Sequence, residues 1–335
     1  MRNAIRHAYG NARLRAMKSR LLQPEDGALC RAAPSLSALG SALGLTGATN
    51  VRLIDSAGFG ALLADYGKVI RNYPDGRALW LALLARLEAD NLKLAWRARS
   101  LSVPKERWLP LWRPFGALER LPLSFWRDSG SLREAVRRTA DTPYGSIAAD
   151  ALRTREQDLP GADLAIDRFA WAGVTRAARD LPRRERATRE LVLARVRERD
   201  LDLLARAGPF HGLTADLAVA ATVALSEEAS PGAWRELAAR APRWGPLPRP
   251  LPRWFTAAAT RAPSWDSFFL SLRRRRREAC RRAFLGPPFL LAPPAAYLLL
   301  REEQWRASVA LAESRGSAGG ETTLDRVLTA SAMGG

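Results

Sequence analysis

The chain has 335 residues, 47% of them hydrophobic, which allows one large domain or two to three small ones. Its 24 glycines and 22 prolines are too few for a fibrous or disordered chain. Cys30 and Cys280 show no disulfide-framework spacing, and the distant His7 and His211 leave almost no room for a metal-ligand cluster. The formal net charge of +19 suggests an anionic partner. However, only Lys18, Lys68, Lys93 and Lys105 of the 53 basic residues are lysines, and Asn and Ile number five each. That skew is what GC-rich codons produce, so part of the charge is compositional.

Residues 1 to 22 carry charges throughout and contain no apolar run of the signal-peptide kind. Tyr9 to Leu22 reads as a basic amphipathic helix, with Leu14, Met17, Leu21 and Leu22 on one side. Arg13, Arg15, Lys18 and Arg20 occupy much of the rest. This basic face is either a solvated surface or a contact for acidic loops and anionic headgroups. Residues 32 to 45 suggest one or two helical turns around a loop. From about Val69 to Leu101 a broad apolar stripe predicts one long helix, with Pro74 suited to its first turn.

Residues 102–128 interleave Pro104, Pro110, Pro114 and Pro122 with Trp108, Trp112, Phe115, Phe125 and Trp126. Such a segment packs as an irregular, aromatic-anchored connector. Ser131 and Glu134 form a capping-box pattern, and the helix they open should stop near Asp141-Thr-Pro-Tyr-Gly145. Within that turn Tyr144 reads as an anchor. Further helices are expected over 163–180, over 183–207 with a stop at Gly208-Pro209, and over 214–226 and 231–241. A second Pro/Trp connector at 242–254 precedes helices near 264–284, 296–313 and 321–332. The run Arg273 to Arg277 is either a solvated face or a site for an acidic partner or lipid, with Arg273, Arg274 and Arg276 as candidate contacts. The longest apolar run, Leu285 to Leu300, falls short of the ~20 residues that span a bilayer and is broken by four prolines. The expectation is an all-α chain that does not cross a membrane.

The long helices have related ends. Asp90-Asn-Leu-Lys-Leu-Ala-Trp-Arg97 resembles Arg199-Asp-Leu-Asp-Leu-Leu-Ala-Arg206, with Arg97 and Arg206 lying 109 positions apart. Glu303-Gln-Trp-Arg306 is a third candidate. The pattern predicts three diverged copies of one helical unit, over 1–103, 104–208 and 209–335.

Together these residues resemble a family. Tyr9-x-Asn11-Ala-Arg13-x-Arg15-Ala-x-Lys18-Ser-x-Leu-Leu22 is similar to the N-terminal signature of the C subunit of V/A-type ATPases and ATP synthases, the counterpart of the eukaryotic d subunit. Glu88-x-Asp90-Asn91-Leu92-Lys93-x-x-x-Arg97, Leu132-x-Glu-Ala-Val136, Thr142-Pro-Tyr-Gly145, Asp163 to Phe169 and Arg301-Glu-Glu-Gln-Trp-Arg306 follow in the family's order. Three departures stand out: Asp200 where a polar amide is usual, Gln304-Trp305 in place of Asn-Leu, and connectors unusually rich in Pro and Trp.

The resemblance implies three units around a pseudo-threefold axis forming a funnel. It implies a non-catalytic subunit without cofactors, on the cytoplasmic face of a membrane, in a prokaryotic cytoplasm. Its partners would be the central shaft and the proteolipid rotor ring of an ion-translocating ATPase. Tyr9, Asn11, Asn91, Arg97, Tyr144, Arg206 and Arg306 would be structural motif positions. The residue inventory agrees with a non-catalytic role: Gly316 to Gly320 lacks the Lys-Ser/Thr ending of a phosphate loop, and neither histidine neighbours a nucleophile. The rival reading is a basic helical-repeat protein that binds nucleic acid or an anionic membrane.

Overall fold

Every regular element among the described residues is helical, and the reason is visible in how the helices are capped and which faces they bury. The computed structural model describes residues 2–21, 29–30, 32–155, 158–225, 231–240 and 264–315. Leu22, the expected 242–254 connector and the expected 321–332 helix lie outside them. The chain divides into two compact units. One comprises the described parts of residues 1–77, 181–191 and 266–335, and the other those of 78–180 and 192–265.

In the first unit, α1 (Arg2–Lys18) buries Leu14 and Met17, with Leu21 just beyond its end, as the amphipathic pattern predicts. It packs on α3 (Val51–Asn72) and on α14 (Ala292–Arg315), which themselves form the main helix pair of the unit. The short α2 (Leu36–Ala42) starts where the Ser35 hydroxyl accepts from the Ala38 amide, and α3 starts where the Asn50 side chain accepts from the Leu53 amide. The expected stripe from Val69 onward therefore divides in two. Val69 belongs to the last turn of α3, and a 3-10 turn at Pro74–Gly76 leads into α4 (Arg77–Ser100).

Two features of this unit explain themselves through packing. Gly58 sits where a Cβ would come within 2.9 Å of the Trp305 ring, so the glycine makes room for that indole. Phe59 packs on the same ring at 5.3 Å between centroids. The helix α14 begins at Ala292, four residues before the expected 296, because Pro293 and Pro294 occupy a first turn whose N–H groups have no helical partner anyway.

In the second unit the core gathers around Trp96 on α4 with Trp108, Trp112 and Trp126 from the connector, and Tyr144, Ala148 and Ile166 beyond it. The connector holds two short helices, α5 (Lys105–Trp108) and α6 (Leu123–Arg127), and two 3-10 turns. The capping box opens α7 (Leu132–Arg138): the Ser131 hydroxyl accepts from the Glu134 amide, and Glu134 reaches back to the Gly130 amide at 2.8 Å. After the Thr-Pro-Tyr-Gly turn comes α8 (Gly145–Arg155), a helix additional to those expected. Any side chain at Gly145 would place its Cβ 2.2 Å from the Ala140 carbonyl oxygen, so the turn requires glycine.

The remaining helices are α9 (Leu159–Arg179), α10 (Arg186–His211), α11 (Ala215–Ala220), α12 (Pro231–Arg240) and α13 (Trp265–Ala283). The expected stop of α10 at Gly208-Pro209 is corrected to His211. A proline in the final turn forgoes one backbone bond, and Gly212, with φ of +60°, supplies the left-handed stop. Among the described residues there is no strand, and no helix is long and apolar enough to cross a membrane.

Because Met17 is 6% exposed, Met17→Ala should lower stability by about 2–5 kcal/mol in chemical unfolding. No change would mean that α1 is not docked.

Candidate partner interface and its polar anchors

On α4 a row of polar side chains ties the connector and the following helices to one rod. Glu88 is almost fully buried; one carboxylate oxygen accepts from the amides of Arg120 (2.7 Å) and Leu121 (2.9 Å), the other from the Tyr144 hydroxyl at 2.7 Å. Burial and the Glu88 charge push the Tyr144 hydroxyl well above the ordinary tyrosine pKa, so it remains a donor. One turn on, Asn91 accepts from the Arg113 amide at 3.0 Å and donates to the Arg113 carbonyl at 2.6 Å. Lys93 bridges Asp90 (2.8 Å) and Asp167 (2.7 Å), the latter on α9. Burial works against its charge, but the two carboxylates prevail and raise its pKa. Arg97 closes the row with a 2.7 Å bond from Nε to Asp163.

The same construction recurs on α10 with different chemistry. Asp200 is fully buried, and one of its oxygens accepts from the amides of Val223 (2.9 Å), Ala224 (2.7 Å) and Leu225 (3.1 Å). Its neighbour Arg199 donates to the Ala221 carbonyl at 2.9 Å and pairs with Asp200 at 3.1 Å. Asn91 spans 22 residues to its connector, and Asp200 spans 23. The amide of Asn91 supplies a donor and an acceptor at once. At the second position Arg199 supplies the donor and Asp200 the acceptor, which accounts for the unusual acid there.

On α14 the third position differs again. Glu303 accepts from Arg277 at 2.6 Å and Arg276 at 3.1 Å, both on α13. Trp305 donates its indole N–H to the Asp55 carboxylate at 2.9 Å. Asp65 on α3 accepts from the Tyr297 hydroxyl at 2.6 Å and pairs with Lys68 (2.8 Å) and Arg301 (3.3 Å). Burial opposes the Glu303 charge, yet the two guanidinium groups outweigh it and hold its pKa below the ordinary 4.5.

The candidate contact residues separate into two groups. Arg15, Arg20, Arg273 and Arg274 are exposed, whereas Arg13 and Lys18 are half-buried. Arg13 reaches the hydroxyl of the exposed Tyr9 at 3.5 Å, and the Lys18 ammonium lies 4.7 Å from the centre of the Phe284 ring. Arg276 is corrected: it is an interior residue holding Glu303, because it falls on the buried stripe Phe268, Leu272, Arg276, Cys280 at fourfold spacing.

Among the motif positions, Asn11 accepts from the Tyr73 hydroxyl at 2.9 Å and donates to the Pro288 carbonyl. Arg206 pairs with Asp202 of its own helix at 2.8 Å, and Arg306 with Glu302 of its own helix at 3.0 Å. Among the described residues, Arg97 is the one of the three related arginines with an ion pair to another helix. Asp65, Glu88 and Glu303 were not selected from the sequence. Glu88 and Glu303 lie inside the family-like motifs, while Asp65 carries no spacing signal. Among the described residues no group of His, Cys, Asp and Glu is placed to hold a metal ion.

Two predictions follow from these anchors. Asp200→Ala leaves three buried amides without their acceptor and Arg199 without its carboxylate partner, and should cost about 3–5 kcal/mol in unfolding, whereas Asp200→Asn should cost about 1–2 kcal/mol. Equal losses would remove the acceptor role. The depressed pKa of Glu303 gives stability that is complete above about pH 4.5 and lost as pH falls through its lower folded value. Glu303→Gln should therefore flatten the acid limb of stability against pH; an unchanged limb would contradict this.

A search of curated proteins finds no match. The model of one protein family, described as ATP synthase (C/AC39) subunit, matches residues 10–318, nearly the full length and including all three long helices with their anchors. The chain thus belongs to the ATP synthase (C/AC39) subunit family, the non-catalytic C-type subunits of V/A-type ATPases.

Proposed function

We propose that this protein is the rotor socket of a V/A-type ATPase or ATP synthase. In this role it sits at the cytoplasmic face of the membrane, on the proteolipid ring, and receives the foot of the central shaft. Rotation passes through it between nucleotide-driven turning and movement of protons or sodium ions. The observation that carries this reading is the set of buried anchors at Glu88, Asn91 and Asp200, which bolt irregular connectors onto long helices. Torque transfer needs stiffness and broad contact surfaces rather than a reactive group, and buried, fully paired polar networks supply stiffness.

The three-unit division belongs to the same proposal. Asn91 and Asp200 perform equivalent tasks at a 109-residue offset, which supports descent of the first two units from one helical module. The third, around Glu303 and Trp305, keeps the long helix and changes the anchor. A funnel around a pseudo-threefold axis is the arrangement this reading expects.

The exposed Arg15, Arg20, Arg273 and Arg274 are the proposed contacts for anionic surfaces at the membrane. Affinity purification of the tagged full chain from its native cells tests the reading. Shaft and ring subunits should be recovered together with it. Recovery of nucleic acid in their place, released by modest salt, would favour the basic-repeat reading and overturn this one.

A further inference from the structure

We infer that α1 and the loop between α13 and α14 form a docking surface for an anionic lipid bilayer. The loop is Leu285-Gly-Pro-Pro-Phe289, and all five residues are exposed, with Leu285 at 86% and Phe289 at 54%. It lies along α1. Asn11 donates to the Pro288 carbonyl, and Lys18 sits over Phe284. Asn11, Arg15 and Lys18 are spaced four and three residues apart, so they share one helix face. The exposed Arg15 therefore stands beside the loop between its two tethers. Arg281, also exposed, lies at the base of the loop in the last turn of α13.

Charge is the first argument for lipid. No Asp or Glu occurs in residues 1–24 or in residues 279–301, so both segments that build this surface are free of carboxylates. The second argument is backbone chemistry. A loop whose tips reach the hydrocarbon must leave few main-chain N–H groups unpaired there. The Leu285 amide donates to the Arg282 carbonyl at 3.0 Å and the Gly286 amide to the Ala283 carbonyl at 3.4 Å. Pro287 and Pro288 have no N–H, and the Pro288 carbonyl is taken by Asn11. A loop with two prolines, paired Leu285 and Gly286 amides, two large apolar tips and a cationic border matches the way monotopic proteins rest on anionic membranes.

The isolated full chain tests this without its complex, so the result is independent of the rotor reading. The probe is flotation with phosphatidylcholine vesicles, with and without phosphatidylserine. The chain should float with the anionic vesicles only, and added salt should weaken it. Leu285→Ser with Phe289→Ser should reduce partitioning about tenfold or more. Arg15→Glu should reduce it as well, while Arg153→Glu, an exposed arginine of the other unit, should leave it unchanged. Three results would overturn the proposal. One is absence of flotation. Another is an equal loss in Arg153→Glu, the mark of diffuse charge. The last is a double serine variant that floats normally but fails to co-purify with partner proteins, which would make the surface a protein interface.

Discussion

Three buried acceptors, Glu88, Asn91 and Asp200, are the constraint on which the second unit depends. Each sits on a long helix and takes the amides of a segment with little regular structure of its own. A connector with many prolines lacks the repeating backbone bonds that stabilise a helix or sheet. Its buried N–H groups must find acceptors elsewhere, or the tryptophans beside them cannot be buried. Glu88 and Asn91 meet that need from α4, which lets Trp108, Trp112 and Trp126 pack into a shared core. The polar anchors and the aromatic core are therefore one device.

The arginine excess has a second use besides surface charge. Arg99 donates to the carbonyls of Trp126 and Arg127, Arg189 to that of Leu181, and Arg315 to that of Cys30. A guanidinium offers several donors in a fixed fork, which suits it to closing the ends of short helices where carbonyls lack partners. Arg86 and Arg195 lie over the Trp171 ring, at 4.6 and 5.4 Å. A net charge of +19 thus overstates the charge available to partners, because many cations are already engaged.

Much of the fold was legible in the sequence wherever one periodic face met clear end signals. Leu14 and Met17 announced the docked side of α1, and Ser131 with Glu134 marked the start of α7. The helix α3 was missed because Gly58, Gly60 and Gly67 dilute its pattern; the space Gly58 leaves for Trp305 is a tertiary fact that no local propensity reports. Similarly, the run Arg273 to Arg277 hid a helical periodicity behind one residue type, with Arg273 and Arg274 outside and Arg276 and Arg277 inside. The offset between Asn91 and Asp200 was readable, but the exchange of an amide for an Arg-Asp pair appears only when the partners in the connector are seen.

The central claim is that these connectors are held as firmly as the helices that carry them. Native-state hydrogen exchange at the amides of Arg113, Leu121, Val223, Ala224 and Leu225 tests it most directly. Protection close to that of the core of α4 and α10 is the predicted result. Exchange at the rates of exposed loops would show that the connectors open locally, and that the anchors do not make the molecule stiff.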